Sequence, residues 1–171
     1  MTDHLSPVLV QPVAASEWAS LREVRLRALA DSPAAFGSTW VRERAFPDST
    51  WRERASGAGG RRSWSARLGP EWVGLVGAVP EEERGGIQLV SMWVAPSWRE
   101  KGVARTLIAA VIDWHRLHAP AGLWLWVNED NQPAQGCYQA VGFTFTGERR
   151  PLLSDPGRTR LQMRYSPSHT G

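Results

Sequence analysis

Residues 91–107 read SMWVAPSWREKGVARTL and hold the side chains with the clearest chemical potential in the chain. A strand ending at Val94, a bend at Pro96 and a loop with Arg99, Lys101, Gly102 and Ala104 lead into a long helix from about Ala104. The first N–H groups of a helix have no intrahelical acceptor, and the helix dipole adds partial positive charge at that end. A small-residue loop running into such an end is a device for holding phosphates. The pattern predicts a grip on the pyrophosphate of a nucleotide cofactor. Other reactive side chains are sparse. Cys137 is the single cysteine, which rules out an internal disulfide and a multi-cysteine metal site. His115 and His118 are three apart on a predicted helix with no third ligand near in sequence. They read as surface or helix-end residues, and no metal is expected.

Positioning that loop requires a framework of ordinary globular composition. The chain has 171 residues, 42% hydrophobic and 22% charged, with a net charge of only +3. This length and balance predict one domain over 1–171 with its own core and a frayed tail at 166–171. No apolar run approaches the ~20 residues of a membrane span. The first residues lack a basic start followed by an apolar core, so no signal peptide is read and a cytoplasmic location is expected. Arg is interleaved with Glu and Asp, and Lys101 is the sole lysine. A nucleic-acid binder clusters its basic residues on one face, so no nucleic-acid partner is expected.

Hydrophobic periodicity gives the order of elements. Residues 5–13 read as an edge strand broken by Pro7 and Pro12. Ser16 is the expected N-cap of a helix over Glu17–Ala30, which stops before Pro33. A loop over 32–46 leads to a helix from near Asp48 to Gly57. Strands follow at Arg62–Leu68 and Glu71–Val79 around the turn Gly69-Pro70, then Ile87–Val94 after the solvated turn Glu81–Gly86. The long helix runs to about His118 with Leu107, Ile108, Val111, Ile112 and Leu117 on its buried side, and Ala119–Gly122 ends it. A strand at Leu123–Asn128, a short helix from about Pro133 to Val141 closed by Gly142, and strands at Phe143–Arg149 and Thr159–Tyr165 complete a mixed α/β domain.

Two motifs taken together, V-A-P-S-W-R-E-K-G-V-A at 94–104 and Asn131-x-x-Ala134-x-x-x-Tyr138-x-x-x-Gly142-Phe143, resemble the GNAT superfamily of N-acetyltransferases, which use acetyl-coenzyme A. The resemblance covers roughly residues 87–149. It implies a mixed, mostly antiparallel sheet of about seven strands with about four helices, whose splayed central strands hold the cofactor. It implies that Arg99, Glu100, Lys101, Gly102, Val103, Ala104 and Arg105 wrap the pyrophosphate. Alanine at Ala104 is a mild departure, since the family often has a second glycine there. Backbone groups of Met92, Trp93 and Val94 are implied to bond the pantetheine arm like an added strand. Asn131 and Ala134 are implied to contact the cofactor, with helix capping as a second role for Asn131. Tyr138 is implied to protonate the departing thiolate. Transfer in the family is usually direct, so an acetylated Cys137 is not expected.

The acceptor side is less constrained. A free alkylamine is mostly protonated near neutral pH, so a base or a water chain must take a proton before attack. Many relatives place a Glu where this chain has Gln88, which can orient a water but not accept a proton. Glu129 is the remaining candidate base, with Ser91 and Asn128 positioning water. Phe36, Trp40, Gln88, Ser91, Trp126 and Asn128 are the expected acceptor contacts, and aromatic faces attract ammonium groups. The expected activity is acetyl transfer from acetyl-coenzyme A to a primary amine of a small molecule. Alternatives are acetylation of protein or peptide N-termini, and a non-catalytic acyl-coenzyme A sensor. The oligomeric state stays open between monomer and homodimer.

Overall fold

The computed structural model describes residues 7–118 and 121–167. The expected strand residues 5 and 6, the helix stop at 119–120 and most of the expected frayed tail lie outside the described residues. One sheet of seven strands has the order β1-β2-β3-β4-β5-β7-β6. The strands are β1 (Leu9–Pro12), β2 (Arg62–Leu68), β3 (Glu71–Pro80), β4 (Ile87–Val94), β5 (Leu123–Asn128), β6 (Phe143–Leu152) and β7 (Asp155–Tyr165). Neighbours pair antiparallel except β4 and β5, which run parallel.

Among the described residues, five α-helices accompany the sheet: α1 (Trp18–Asp31), α2 (Trp40–Arg44), α3 (Asp48–Ser56), α4 (Val103–His118) and α5 (Gln132–Ala140). The sequence predicts four of them. The addition is the short α2, inside the expected loop, where Thr39 accepts from the Arg42 N–H as an N-cap. Ser16 does not cap α1. A 3-10 turn over Ala15–Glu17 precedes that helix, and the Glu17 carboxylate accepts from the Ala14 N–H at 2.8 Å.

β3 is buried at every position from Trp72 to Ala78, so both of its faces are covered. Gly74 faces Leu107 of α4, whereas its neighbour Leu75 shares a small cavity with Leu21 and Arg25 of α1. α4 therefore covers one face of the sheet centre and α1 the other. The α4 stripe is Val103, Leu107, Ile108, Val111 and Ile112, all buried. Each such side chain contributes about 1.5–3 kcal/mol of burial. Leu117, expected on this stripe, is 80% exposed. Nine residues past Ile108, at ~100° per residue, it has rotated to the opposite face.

The approach of α4 to the sheet depends on Gly74. A Cβ there would lie 3.0 Å from Leu107 Cδ1 and 3.2 Å from both Ala66 Cβ and the Trp93 carbonyl oxygen. Gly74→Ala is expected to lower unfolding free energy by about 1–3 kcal/mol, read by denaturant titration. An unchanged midpoint would show that α4 is free to shift.

Candidate active site

β4 and β5 begin as neighbours and then part. Their pairing is confined to Ile87↔Leu123 and Gln88↔Trp124, although the strands continue to Val94 and Asn128. A bulge in β4 accompanies the divergence. Between the pairs Gly77↔Val90 and Leu75↔Trp93, two steps along β3 match three along β4. The bulge holds Ser91 at φ 58°, a left-handed conformation uncommon outside glycine. Its hydroxyl accepts a hydrogen bond from Arg25 Nη1 at 3.3 Å, which ties the bulge to α1.

Beyond the C-terminal end of β4, a 3-10 turn at Pro96–Trp98 leads to a loop with Glu100 at φ 61° and Gly102 at φ 81°. A Cβ on Gly102 would meet nothing within 4 Å, so glycine is favoured there by backbone conformation and leaves that side open. The Arg99 N–H reaches the Pro96 carbonyl at 3.3 Å, and the Thr106 N–H reaches that of Gly102 at 3.2 Å. Between them, the backbone N–H groups of Glu100, Lys101, Gly102, Val103, Ala104 and Arg105 bond no backbone acceptor among the described residues. They crown the N-terminus of the sixteen-residue α4. The loop predicted to hold a pyrophosphate has the free donors that such a group needs.

The basic side chains of the loop behave differently from one another. Arg99 donates from Nε to the Val94 carbonyl at 3.0 Å and from Nη2 to Asp31 at 2.5 Å. Burial opposes ionisation of Asp31, but hydrogen bonds from Trp93, Ser32 and Arg99 outweigh it and hold the carboxyl below its ordinary range. Arg99 thus braces the end of β4 against α1. Lys101 lies over the Trp98 ring at 5.1 Å with its ammonium exposed and available to an anion.

On the β5 side, Asn131 caps α5 by accepting from the Ala134 N–H at 3.3 Å. Gln135 donates back to the carbonyls of Asn128 and Glu129, both at 2.9 Å, which fixes α5 to the end of β5. Tyr138 is buried and packs edge-on against Phe143, with ring centroids 5.7 Å apart. Burial, with a smaller effect of Cys137, pushes its phenol pKa upward, so the group keeps its proton. Burial likewise raises the Cys137 thiol and disfavours a thiolate nucleophile.

A cavity of about 370 Å³ opens on one face of the divergence. Of the expected acceptor contacts, Phe36, Gln88, Ser91, Trp126 and Asn128 line it, along with Leu152, Leu153 and residues that the sequence did not single out: Arg25, Glu43, Arg54, Arg61 and Arg160. Asn128 donates to the Ala34 carbonyl, Ser154 donates to the Phe36 carbonyl at 2.7 Å, and Leu153 packs on Gly37. These contacts draw the β6–β7 turn over the segment Ala34–Gly37 as a roof. Trp40 does not line this cavity. It sits on the outer side of α1, under the Arg44 guanidinium at 4.6 Å. Trp93 also points elsewhere, with its indole N–H on Asp31 at 3.0 Å. Glu129 is exposed, pairs with Arg149 at 2.5 Å and does not line the cavity. The geometry does not bring this expected base to the cavity.

Among the described residues, the only carboxylate on the cavity wall is Glu43, 2% exposed and held by Arg25 at 2.9 and 3.1 Å and by Arg54 at 3.0 Å. Burial opposes its ionisation, but the two guanidiniums prevail and hold the pKa below the ordinary 4.5. Its stabilising contribution is therefore complete above pH 4.5 and lost as pH falls through the depressed folded value. Glu43→Gln strands Arg25 and is expected to cost about 3–5 kcal/mol. Urea titrations should also show a flatter loss of stability between about pH 5 and 3 than in the parent. An equally steep acid limb would assign the acid sensitivity to other carboxylates.

Residues 21–143, well over half of the chain, match the model of the Acetyltransferase (GNAT) family. The chain is 31% identical over 110 residues to the N-acetylaspartate synthetase of Danio rerio, a match covering 60% of this chain and 39% of that one. It is 41% identical over 54 residues to the streptothricin acetyltransferase of Streptomyces lavendulae, covering 32% and 29% of the two chains. The matches therefore span well under half the length of these curated relatives. Among solved structures, yncA of Salmonella typhimurium, determined with its cofactor acetyl-CoA, superposes with a TM-score of 0.75 over 97% of this chain and 98% of that one. At 16% identity, that likeness is one of fold.

Proposed function

The chain belongs to the GNAT acetyltransferase family, and on that premise we propose that it transfers the acetyl group of acetyl-CoA to a primary amine of a small molecule. One observation carries the reading: β4 and β5 part after Gln88 and Trp124, directly upstream of a turn whose amides are free. The residues fit the co-substrate. The amides of 100–105 and the Lys101 ammonium suit a pyrophosphate, and the unpaired edges of β4 and β5 suit the amide groups of a pantetheine arm. Bound there, acetyl-CoA supplies an acetyl thioester activated for direct attack.

The chain's own groups then have separable tasks. Tyr138, with its phenol held protonated, serves as the O–H donor that hydrogen-bonds the departing sulfur as negative charge develops on it. On the acceptor side the amine has to be neutral, and the cavity favours that form. Four guanidiniums against one ion-paired carboxylate raise the energy of an ammonium and lower the amine's pKa. Gln88, Ser91 and Asn128 line the same wall and supply polar groups for a water that carries the proton away. This route needs no carboxylate base, and Glu129 is left to its ion pair with Arg149. The roof of Leu152–Ser154 over Phe36 supports a compact acceptor rather than an extended peptide.

Release of free thiol from acetyl-CoA, followed across a panel of amines, tests the activity. Thiol release with none of them would remove the reading. With a productive amine, Tyr138→Phe is expected to lower kcat by about 10²-fold or more, while acetyl-CoA affinity by calorimetry is retained. An unchanged kcat would move the acid role elsewhere.

A further inference from the structure

The acceptor cavity carries more positive charge than its own structure uses. Charged groups reach its wall from every side: Arg25 from α1, Glu43 from α2, Arg54 from α3, Arg61 before β2 and Arg160 from β7. Arg25 and Arg54 share Glu43. Arg61 and Arg160 have no ion pair and no side-chain hydrogen bond among the described residues. Arg160 is half-buried, its guanidinium lies over Trp126 at 4.6 Å, and its Nε is buried without a partner. Burial and the nearby Arg150 push its pKa down, a penalty that an anion would relieve. Arg150 beside it differs, because it binds Glu83 and Glu148. The Arg160 guanidinium lines the cavity without an ion-pair partner of its own, and a planar guanidinium matches an oxyanion in two-point geometry.

From this cavity we infer that the acceptor is an amine bearing an anionic oxyacid group, a carboxylate or phosphonate-type oxyanion, held by Arg160, with Arg61 at the cavity margin. The inference rests on the proposed acetyl transfer and narrows its acceptor class. Arg61 stands exposed at the cavity margin, and the half-buried Arg160 lies on the wall beside its strand neighbour Asn128. The same charge disfavours polyamines and other polycations, which would meet four guanidiniums against a single neutralised carboxylate. Glu43 keeps the wall folded without cancelling its charge, since Arg25 and Arg54 already outnumber it.

The test uses matched amines of similar size: ethanolamine and putrescine without an anionic group, β-alanine and aspartate with carboxylates, and 2-aminoethylphosphonate with a phosphonate. Thiol release from acetyl-CoA gives kcat and KM, and calorimetry without acetyl-CoA gives binding of aspartate and 2-aminoethylphosphonate. The inference expects kcat/KM for the better anionic amine at least about 30-fold above ethanolamine and putrescine, with the advantage in KM. Arg160→Gln should reduce that ratio by about 10- to 100-fold, and Arg61→Gln by less. Arg160→Lys should restore part of it, with unfolding curves confirming that the variants fold. The carboxylate and phosphonate arms distinguish which oxyanion is held. Equal or better turnover of ethanolamine or putrescine would overturn the inference while leaving acetyl transfer standing. If no amine is acetylated, the transfer reading fails. Binding then decides the anion site: saturable binding weakened by Arg160→Gln supports it, and no binding of either anionic amine overturns it.

Discussion

The structure is organised by an interruption. In the middle of a seven-stranded sheet, β4 and β5 keep two paired positions and then separate, leaving backbone groups along both strands without each other. Unpaired backbone polar groups in a sheet interior are costly unless water or a ligand bonds them. The fold stabilises the opening from outside. Ser91 bulges β4 and is held by Arg25, Arg99 fastens the end of β4 to Asp31, and Gln135 fastens the end of β5 to α5. The antiparallel pairs β3–β4 and β5–β7 carry the ladder on either side. The same divergence opens onto the lateral cavity, so the proposed donor and acceptor sites are two faces of one opening.

The donor half was legible in the sequence because its signals are local. The loop before α4 and the cap, proline and tyrosine of α5 each lie within about a dozen residues, where turn chemistry and helix capping leave marks. The strands were also legible, since alternation and turn residues bound them closely. What failed depended on rotation or distance. Leu117 is apolar and near the stripe of α4 but on the wrong face, and α2 is too short for periodicity to register.

The acceptor half was legible only in part, for a different reason. Phe36, Gln88, Ser91, Trp126 and Asn128 reach the cavity as expected, yet its electrostatic character comes from Arg25, Glu43, Arg54, Arg61 and Arg160, which are scattered over the chain. In a sequence whose basic residues are almost all arginine, no single one stands out. Among the many tryptophans, Trp40 is expected at the acceptor and does not line the cavity, whereas Trp126 does. Several serve as platforms for arginine, as in Arg52 over Trp18 at 4.3 Å, Arg67 over Trp72 at 4.5 Å and Arg164 over Trp124 at 4.9 Å. Such contacts contribute about 0.5–1 kcal/mol each at exposed sites and account for aromatic residues that never approach the acceptor.

The central claim is that the parted strands and the free amides beside them form one site for acetyl-CoA. Amide hydrogen exchange with and without acetyl-CoA measures it directly. Residues 89–94 of β4, the loop amides 100–105 and residues 125–128 of β5 should all slow on addition of acetyl-CoA, by about tenfold or more, while β1 and β2 change little. Binding without protection of these three segments, or protection concentrated at β1 and β2, would contradict the account.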